Sequence, residues 1–287
     1  MTFKVKLIPT ILFIPLLYLM GWLLVQPLRL LPVDLILSNL SLIGSVISLS
    51  LFFLLLRNWI AMRWPAPSHN KEFYYFHLYK KDLIRKFWLG FCQAFVLIFF
   101  ILIVLNLSHF IHWNLRLNLK LFIDSFFLCF FVGLAEEVIF RGWLWGEMNL
   151  IFGSKLGNTL QAIIFSLIHL RFGMELIQSL ILFIGLFLLG LVLAQRRNLD
   201  RGSLWGCIGL HGGLVGIWFF VQYGLIDLSW KIPSWFIGPG DLTRNPIGGI
   251  YAIISLLIIF ISQRDKEIVL LRSLGETCKA SSKDALP

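Results

Sequence analysis

Two glutamates and an arginine, in the pattern Glu136-Glu137-x-x-x-Arg141, interrupt a segment that is otherwise apolar. A charged side chain at bilayer depth costs roughly 3 to more than 10 kcal/mol, so such residues mark a functional site by default. On a helix, Glu137 and Arg141 share one face and can form an ion pair. Glu136 is rotated about 100° away and has no such partner nearby in the sequence. Its carboxylate is therefore a candidate general base or acid.

Two histidines, His169 and His211, also lie inside apolar stretches. An imidazole among aliphatic side chains must find hydrogen-bond partners for both ring nitrogens. We therefore expect Glu136, His169 and His211 to converge. Such a trio can activate water for attack on a carbonyl while one histidine donates to the oxyanion. Alternatively, it can bind Zn²⁺ with one position open for water, and both routes end in hydrolysis.

Membrane helices are the elements that must position these residues. Hydrophobic residues make up 58% and charged residues 14% of the 287 positions, against about 45 to 50% and about 25% in soluble domains. The mean hydropathy is +0.84. The predicted fold is all-α, a polytopic integral membrane helical bundle with about eight transmembrane helices. The predicted spans are Leu7 to Val25, Ile36 to Leu56, Trp88 to Leu107, Leu121 to Trp145, Leu156 to Leu170, Leu176 to Ala194, Ser203 to Tyr223 and Ile247 to Ile261.

Lysine and arginine concentrate on one side of these predicted spans, which places both termini in the cytoplasm. The net charge of +10 is therefore a topology signal. It gives little support to nucleic-acid binding, for which basic residues cluster on a soluble module. The predicted divisions are residues 1–120, with three transmembrane helices and a basic interfacial segment from Lys71 to Lys86, a core over 121–262, and a cytoplasmic tail over 263–287.

Some polar and aromatic residues have simpler explanations than catalysis. Asp124, Glu147 and Glu175 fall near the ends of predicted spans, where water is available, so we expect them to be interfacial. Trp143 and Trp145 are predicted to anchor their helix at the membrane surface, where tryptophan is enriched.

Three motifs occur in order on separate apolar segments: Glu136-Glu137-x-x-x-Arg141, Phe165-x-x-x-His169 and His211. In order and approximate spacing they resemble those of the CAAX-protease and bacteriocin-processing family of intramembrane endopeptidases, which includes the type II CAAX prenyl endopeptidases. Further matches are Gly142, Ala162 and the late segment 240–249. The resemblance covers roughly residues 124–261.

The resemblance implies a role for each matching residue. Glu136 would be the general base acting on water, His169 would orient or activate that water, and His211 would help to stabilise the oxyanion. The positioning residues would be Glu137, Arg141 and Phe165. The implied substrate is a membrane-associated or lipidated peptide or protein in the lipid bilayer. The implied cofactor is either none or Zn²⁺, which Glu136, His169 and His211 would then hold.

One departure from the family pattern concerns Val215, which stands four residues after His211, where the family usually has Asn or Asp. An oxyanion donor of that type is worth about 2.7 to 4 kcal/mol, so an active enzyme needs a replacement. The candidates from sequence are Ser203, Ser166 and Gln161. Two other functions stay open: a non-catalytic scaffold or chaperone-like relative with an eroded site, and a proton-coupled transporter. The lack of matching broken helices in two halves counts against transport.

Overall fold

The computed structural model describes residues 7–30, 40–64, 82–170, 173–240 and 244–283, with side chains described as far as Lys266. Its helices are α1 (Leu7–Val25), α2 (Leu40–Arg63), α3 (Leu83–Leu107), α4 (Leu119–Phe127), α5 (Gly133–Glu137), α6 (Trp145–Phe152), α7 (Ser154–Ile168), α8 (Leu176–Leu199), α9 (Trp205–Gly224), α10 (Ser234–Ile237) and α11 (Ile250–Lys283). Two π-helical segments, Leu128–Val132 and Val138–Leu144, flank α5. The remaining elements are the 3₁₀ turns Gln26–Leu30 and Pro246–Gly248 and the strands β1 (Ile111–Trp113) and β2 (Ile226–Leu228).

The predicted all-α membrane bundle is confirmed, whereas the count of about eight spans is not. Within the described ranges, five helical stretches are long and apolar enough to cross a membrane. They are Leu7–Arg29, Ile43–Arg63, Leu83–Leu107, Leu176–Leu199 and Trp205–Gly224. The predicted fifth span corresponds to α7, which has 15 residues. At 1.5 Å per residue α7 is about 22 Å long, which is shorter than the roughly 30 Å hydrocarbon layer.

The chain forms two compact units, Met1–Lys71 with Trp143–Gly157, and Glu72–Gly142 with Asn158–Pro287. Most of the predicted interfacial segment from Lys71 to Lys86 lies outside the described residues, which resume at Asp82.

The first unit contains a buried carboxylate that the sequence did not reveal. Glu147 was predicted to be hydrated, but its side chain is fully buried. Arg63 forms an ion pair with it at 2.7 Å, and the Thr10 hydroxyl and the Trp59 and Trp64 indoles donate to it at 2.6, 2.8 and 2.7 Å. The prediction is wrong because α1 and the C-terminal part of α2 supply four donors that replace water.

The predicted membrane anchors are also buried. Trp143 is 2% and Trp145 is 4% exposed. The Trp143 ring packs 5.3 Å from that of Phe13 and 6.0 Å from that of Trp59. The interfacial role predicted for both tryptophans is therefore wrong. Glu175, by contrast, is exposed at the N-terminus of α8.

In the second unit, α9 packs closely against α3, α4 and the π segment Leu128–Val132. Glycine makes this approach possible, because a Cβ atom on Gly212 would lie 1.8 Å from the Cys129 carbonyl oxygen. No larger residue fits without moving one backbone. The contact holds α9, which carries His211, against the segment that leads into α5.

β1 and β2 pair to form a two-stranded antiparallel ribbon, in which Ile111 lies opposite Leu228. The sequence did not predict it, because strands of three residues are too short to show a period. The ribbon is flanked by polar contacts on its exposed side. There the hydrogen bond from the Asn114 amide, together with Arg116, lowers the pKa of the Asp227 carboxyl.

Candidate active site

The structure brings Glu136, His169 and His211 together. Glu136 Oε2 lies 3.1 Å from His169 Nε2 and 3.7 Å from His211 Nε2. The three residues come from α5, from the turn after α7 and from α9. The short helix α5 lies between two π-helical segments, which occur often at functional sites and change the phase of the residues that follow. These π turns leave no recognisable pattern in the sequence.

The His169 ring is held by the backbone of the last turn of α7. Its Nδ1 lies 2.6 Å from the Phe165 carbonyl oxygen. A carbonyl oxygen only accepts hydrogen bonds, so Nδ1 carries a proton and donates. The other nitrogen, Nε2, faces Glu136. The side chains of His169 and Glu136 are each 28% exposed, which is enough for contact with a water molecule or a substrate.

The His211 ring is oriented by the second glutamate. Its Nδ1 lies 2.7 Å from Glu137 Oε1, within a buried part of α9. A carboxylate accepts this hydrogen bond, so Nδ1 is again the donor and Nε2 is directed towards Glu136. Protons that move in the site therefore move among Glu136 and the two Nε2 atoms. A histidine whose tautomer is fixed in this way is suited to acid–base work.

Glu137, Arg141 and Phe165 form the support of the site. Arg141 Nη1 donates to Glu137 Oε1 at 2.9 Å, and neither side chain is exposed. The Arg141 guanidinium carbon lies 4.0 Å from the centre of the Phe165 ring, a cation–π contact. That ring also packs against both imidazoles, with centres 4.4 Å from His169 and 5.8 Å from His211. These contacts fit the positioning roles predicted from the sequence.

A second arginine extends this support. Arg197 is completely buried near the C-terminus of α8, and its Nη1 donates to the backbone carbonyl of Arg141. That carbonyl belongs to the π segment Val138–Leu144. Arg197 therefore fixes the backbone one turn after the two acids. Its role is not evident from the sequence, because a basic residue at a predicted span end is explained by topology alone.

The three side chains face a cavity of about 440 Å³. Most of its wall is apolar, which suits an apolar ligand. Val215 is part of that wall. The lining residues are Leu128, Val132, Glu136, Phe165, His169, Leu186, Leu189, His211, Leu214, Val215, Trp218, Phe219, Gln222, Tyr223, Arg244, Asn245, Pro246 and Ile247.

The three replacement donors suggested by the sequence do not line this cavity. The Ser166 hydroxyl donates to the Ala162 carbonyl at 2.7 Å, one turn back along α7. The Gln161 amide donates to the Gly190 carbonyl at 3.2 Å, and the Ser203 hydroxyl accepts from the Trp205 amide. Each of these side chains therefore serves local structure.

No group of three or more His, Cys, Asp and Glu side chains within the described ranges has the arrangement of a metal site. In Glu136, His169 and His211 the chemistry of the donors suits zinc. In this structure the three side chains contact one another directly, with Glu136 Oε2 3.1 Å from His169 Nε2 and 3.7 Å from His211 Nε2.

Two family models match the chain. Residues 118–217 match the type II CAAX prenyl endopeptidase Rce1-like family, and residues 1–68 match a domain of unknown function, DUF8676. The first match includes Glu136, His169 and His211. No curated protein and no solved structure matches the chain.

Proposed function

We propose that this protein is an intramembrane endopeptidase, because residues 118–217 match the type II CAAX prenyl endopeptidase Rce1-like family. It hydrolyses a peptide bond of a membrane-associated or lipidated substrate. The observation that carries this proposal is the approach of Glu136 Oε2 to His169 Nε2 at 3.1 Å and to His211 Nε2 at 3.7 Å. Within the described ranges, five helices able to cross a membrane support the location in a bilayer.

The reaction begins with a water molecule held between Glu136 and His169. Glu136 takes a proton from the water, and the water oxygen forms a bond to the carbonyl carbon of the substrate. The electron pair of the carbonyl double bond moves to its oxygen, which becomes the oxyanion. The oxyanion then re-forms the carbonyl double bond as the carbon–nitrogen bond breaks, and the leaving nitrogen keeps that bond's electron pair and takes the proton from Glu136. The products are a carboxylic acid and an amine.

His211 contributes to the charged intermediate. The Glu137 carboxylate accepts from its Nδ1, so a doubly protonated His211 is balanced by a buried negative charge. Its Nε2–H is then available to donate to the oxyanion. The Glu137–Arg141 pair and Phe165 keep that ring in place. Glu136 therefore acts as the base, whereas the neighbouring Glu137 holds His211 in place.

The cavity favours an apolar substrate. Leucines of three separate helical segments and the rings of Trp218 and Phe219 form most of its wall. A lipid-modified or apolar peptide segment favours the bilayer and such a cavity over water, by about 25 cal/mol per Å² of apolar surface removed from water. The substrate therefore reaches the site from the membrane or its surface.

Cleavage by the purified protein tests the proposal. The substrate is a farnesylated peptide ending in a CAAX sequence, labelled with a fluorophore and a quencher and supplied in proteoliposomes. We expect cleavage by the wild type and a loss of about 10² to 10⁴-fold in Glu136→Gln and in His169→Ala. Glu175→Gln, an exposed acid at the start of α8, is the control and should cleave normally.

Two results would contradict the proposal. The first is cleavage by Glu136→Gln at the wild-type rate. The second is a well-folded wild type that cleaves neither this peptide nor an unmodified transmembrane peptide, which would favour a scaffold.

The same assay decides the question of zinc. If the metal binds, Glu136, His169 and His211 would hold it, and it would lower the pKa of a bound water. We expect cleavage to persist in the presence of a chelator and the active protein to contain less than stoichiometric zinc. A full zinc equivalent together with chelator sensitivity would replace the glutamate-dependent mechanism by a metal-dependent one.

A further inference from the structure

The oxyanion of the proposed reaction has one donor in His211 and meets an apolar wall where Val215 lies. This inference rests on the proposed endopeptidase function. A tetrahedral intermediate is stabilised by preorganised hydrogen-bond donors, and removing one donor commonly costs about 10² to 10³ in rate. A second donor should therefore be present in the same cavity.

Asn245 lines the cavity, and its hydrogen bonds leave a donor available there. Its Oδ1 accepts from the Ile247 amide at 3.1 Å, as a cap on the 3₁₀ turn Pro246–Gly248. Within the described part of the chain, its Nδ2 makes no hydrogen bond. The cap fixes the orientation of the amide, because oxygen and nitrogen are the two ends of one rigid planar group. The donor is therefore preorganised.

The turn that carries Asn245 is firmly attached to the helices of the site. The Asn245 backbone amide donates to the Pro239 carbonyl at 3.0 Å. The Trp218 indole of α9 donates to the Arg244 carbonyl at 2.8 Å. On α8, a Cβ atom at Gly185 would lie 1.9 Å from the Ile247 carbonyl oxygen. The turn therefore forms a fixed wall of the cavity.

The contacts along α8 place this turn near the level of the reacting groups. Gly190 packs against Ala162, one turn before Phe165, and Gly185 packs against Ile247. These two glycines are separated by about 7.5 Å along the helix axis. Between them, Leu186 and Leu189 line the same cavity as Glu136 and His211.

Three other donors of the cavity wall are engaged elsewhere. The Trp218 indole donates to a backbone carbonyl, and Arg244 Nη1 donates to the Ile232 carbonyl at 2.7 Å. His169 Nδ1 is bonded to the Phe165 carbonyl. We propose that Asn245 Nδ2 donates to the oxyanion and so supplies the hydrogen bond that Val215 cannot make.

The test separates the two ends of the Asn245 amide. Asn245→Asp keeps the oxygen that caps the 3₁₀ turn but removes the donor, so it should fold normally and lose kcat by about 10² to 10³-fold with little change in KM. Asn245→Ala should lose as much activity and some stability. Asn106→Ala, an exposed asparagine near the end of α3, is the control and should keep full activity.

A rescue variant makes the test specific to the oxyanion. Val215→Asn, introduced into Asn245→Asp, places an amide one turn after His211 and should recover at least about tenfold in kcat. The proposal is overturned if folded Asn245→Asp keeps kcat within about threefold of wild type, if only KM changes, or if the rescue variant recovers nothing. A wild type that does not cleave, or a Glu136→Gln variant that does, refutes the proposed function and this inference with it.

Discussion

The buried ion pair of Glu137 and Arg141 has a structural role that can be measured apart from its role in catalysis. The comparison uses three variants: Glu137→Gln, Arg141→Met and the double variant. The two side chains are 2.9 Å apart and fully buried. Removing one partner of such a pair costs about 3 to 5 kcal/mol, since a buried charge is left uncompensated. The loss of stability in Glu137→Gln should lie at the upper end of this range, because Arg141 Nε and Nη2 have no hydrogen-bond partner in the described residues. The loss of stability in Arg141→Met should lie at the lower end, because Glu137 keeps its hydrogen bond from His211.

The double variant gives the decisive comparison. Independent effects would sum to about 6 to 10 kcal/mol, but a variant with neither charge leaves nothing uncompensated, so we expect a total below about 5 kcal/mol. Unfolding by denaturant in mixed micelles, followed by tryptophan fluorescence, measures each value. Asp124→Asn, which breaks the exposed pair with Lys120 at the same spacing, is the control and should change nothing measurable. A cost below about 1 kcal/mol for Glu137→Gln would refute the argument that the pair is excluded from water.

The remaining predictions concern Glu147 in the first unit and Gly212 in α9. Glu147→Gln should destabilise the first unit by about 3 to 5 kcal/mol, whereas Thr10→Val, which removes one neutral donor, should cost about 0.6 and at most about 1.7 kcal/mol. Thermal unfolding in detergent checks this order, and equal effects would contradict it. Gly212→Ala should lower both stability and cleavage, because its Cβ would lie 1.8 Å from the Cys129 carbonyl. Gly153→Ala, with nothing within 4 Å of its Cβ, is a control for steric contact, although its φ of +79° adds local strain. Unchanged cleavage in folded Gly212→Ala would mean that close packing of α9 is not required.

The convergence of Glu136, His169 and His211 was predictable because each polar group in an apolar helix needs partners, and few partners exist. The same reasoning predicted the Glu137–Arg141 pair from its spacing. Helix positions followed from apolar runs, although the number of spans did not. For these features the physical constraint is local, or it acts between rare residue types.

Other features depended on residues that are distant in sequence and chemically common. Glu147 appeared to be a hydrated acid, since nothing near it in the chain shows that Arg63 and Trp64 would surround it. Trp143 appeared to be an anchor for the same reason. The π turns around α5 arise from packing of the whole segment and leave no compositional mark. Asn245 was visible as part of a family-like segment, but its place in the cavity wall depends on how that turn docks on α8 and α9.

The contrast between the two neighbouring acids explains why Glu136 is the one proposed to react. Glu137 Oε1 accepts from both Arg141 and His211, and the group is fully buried, so two donors hold its negative charge in place. Glu136 faces the imidazole Nε2 atoms and the cavity, and it can exchange a proton without losing a structural contact. Glu136→Gln should therefore abolish cleavage while leaving stability nearly unchanged, and Glu137→Gln should reduce both. If Glu136→Gln is the less stable variant, the carboxylate has a structural role and the assignment of the general base is wrong.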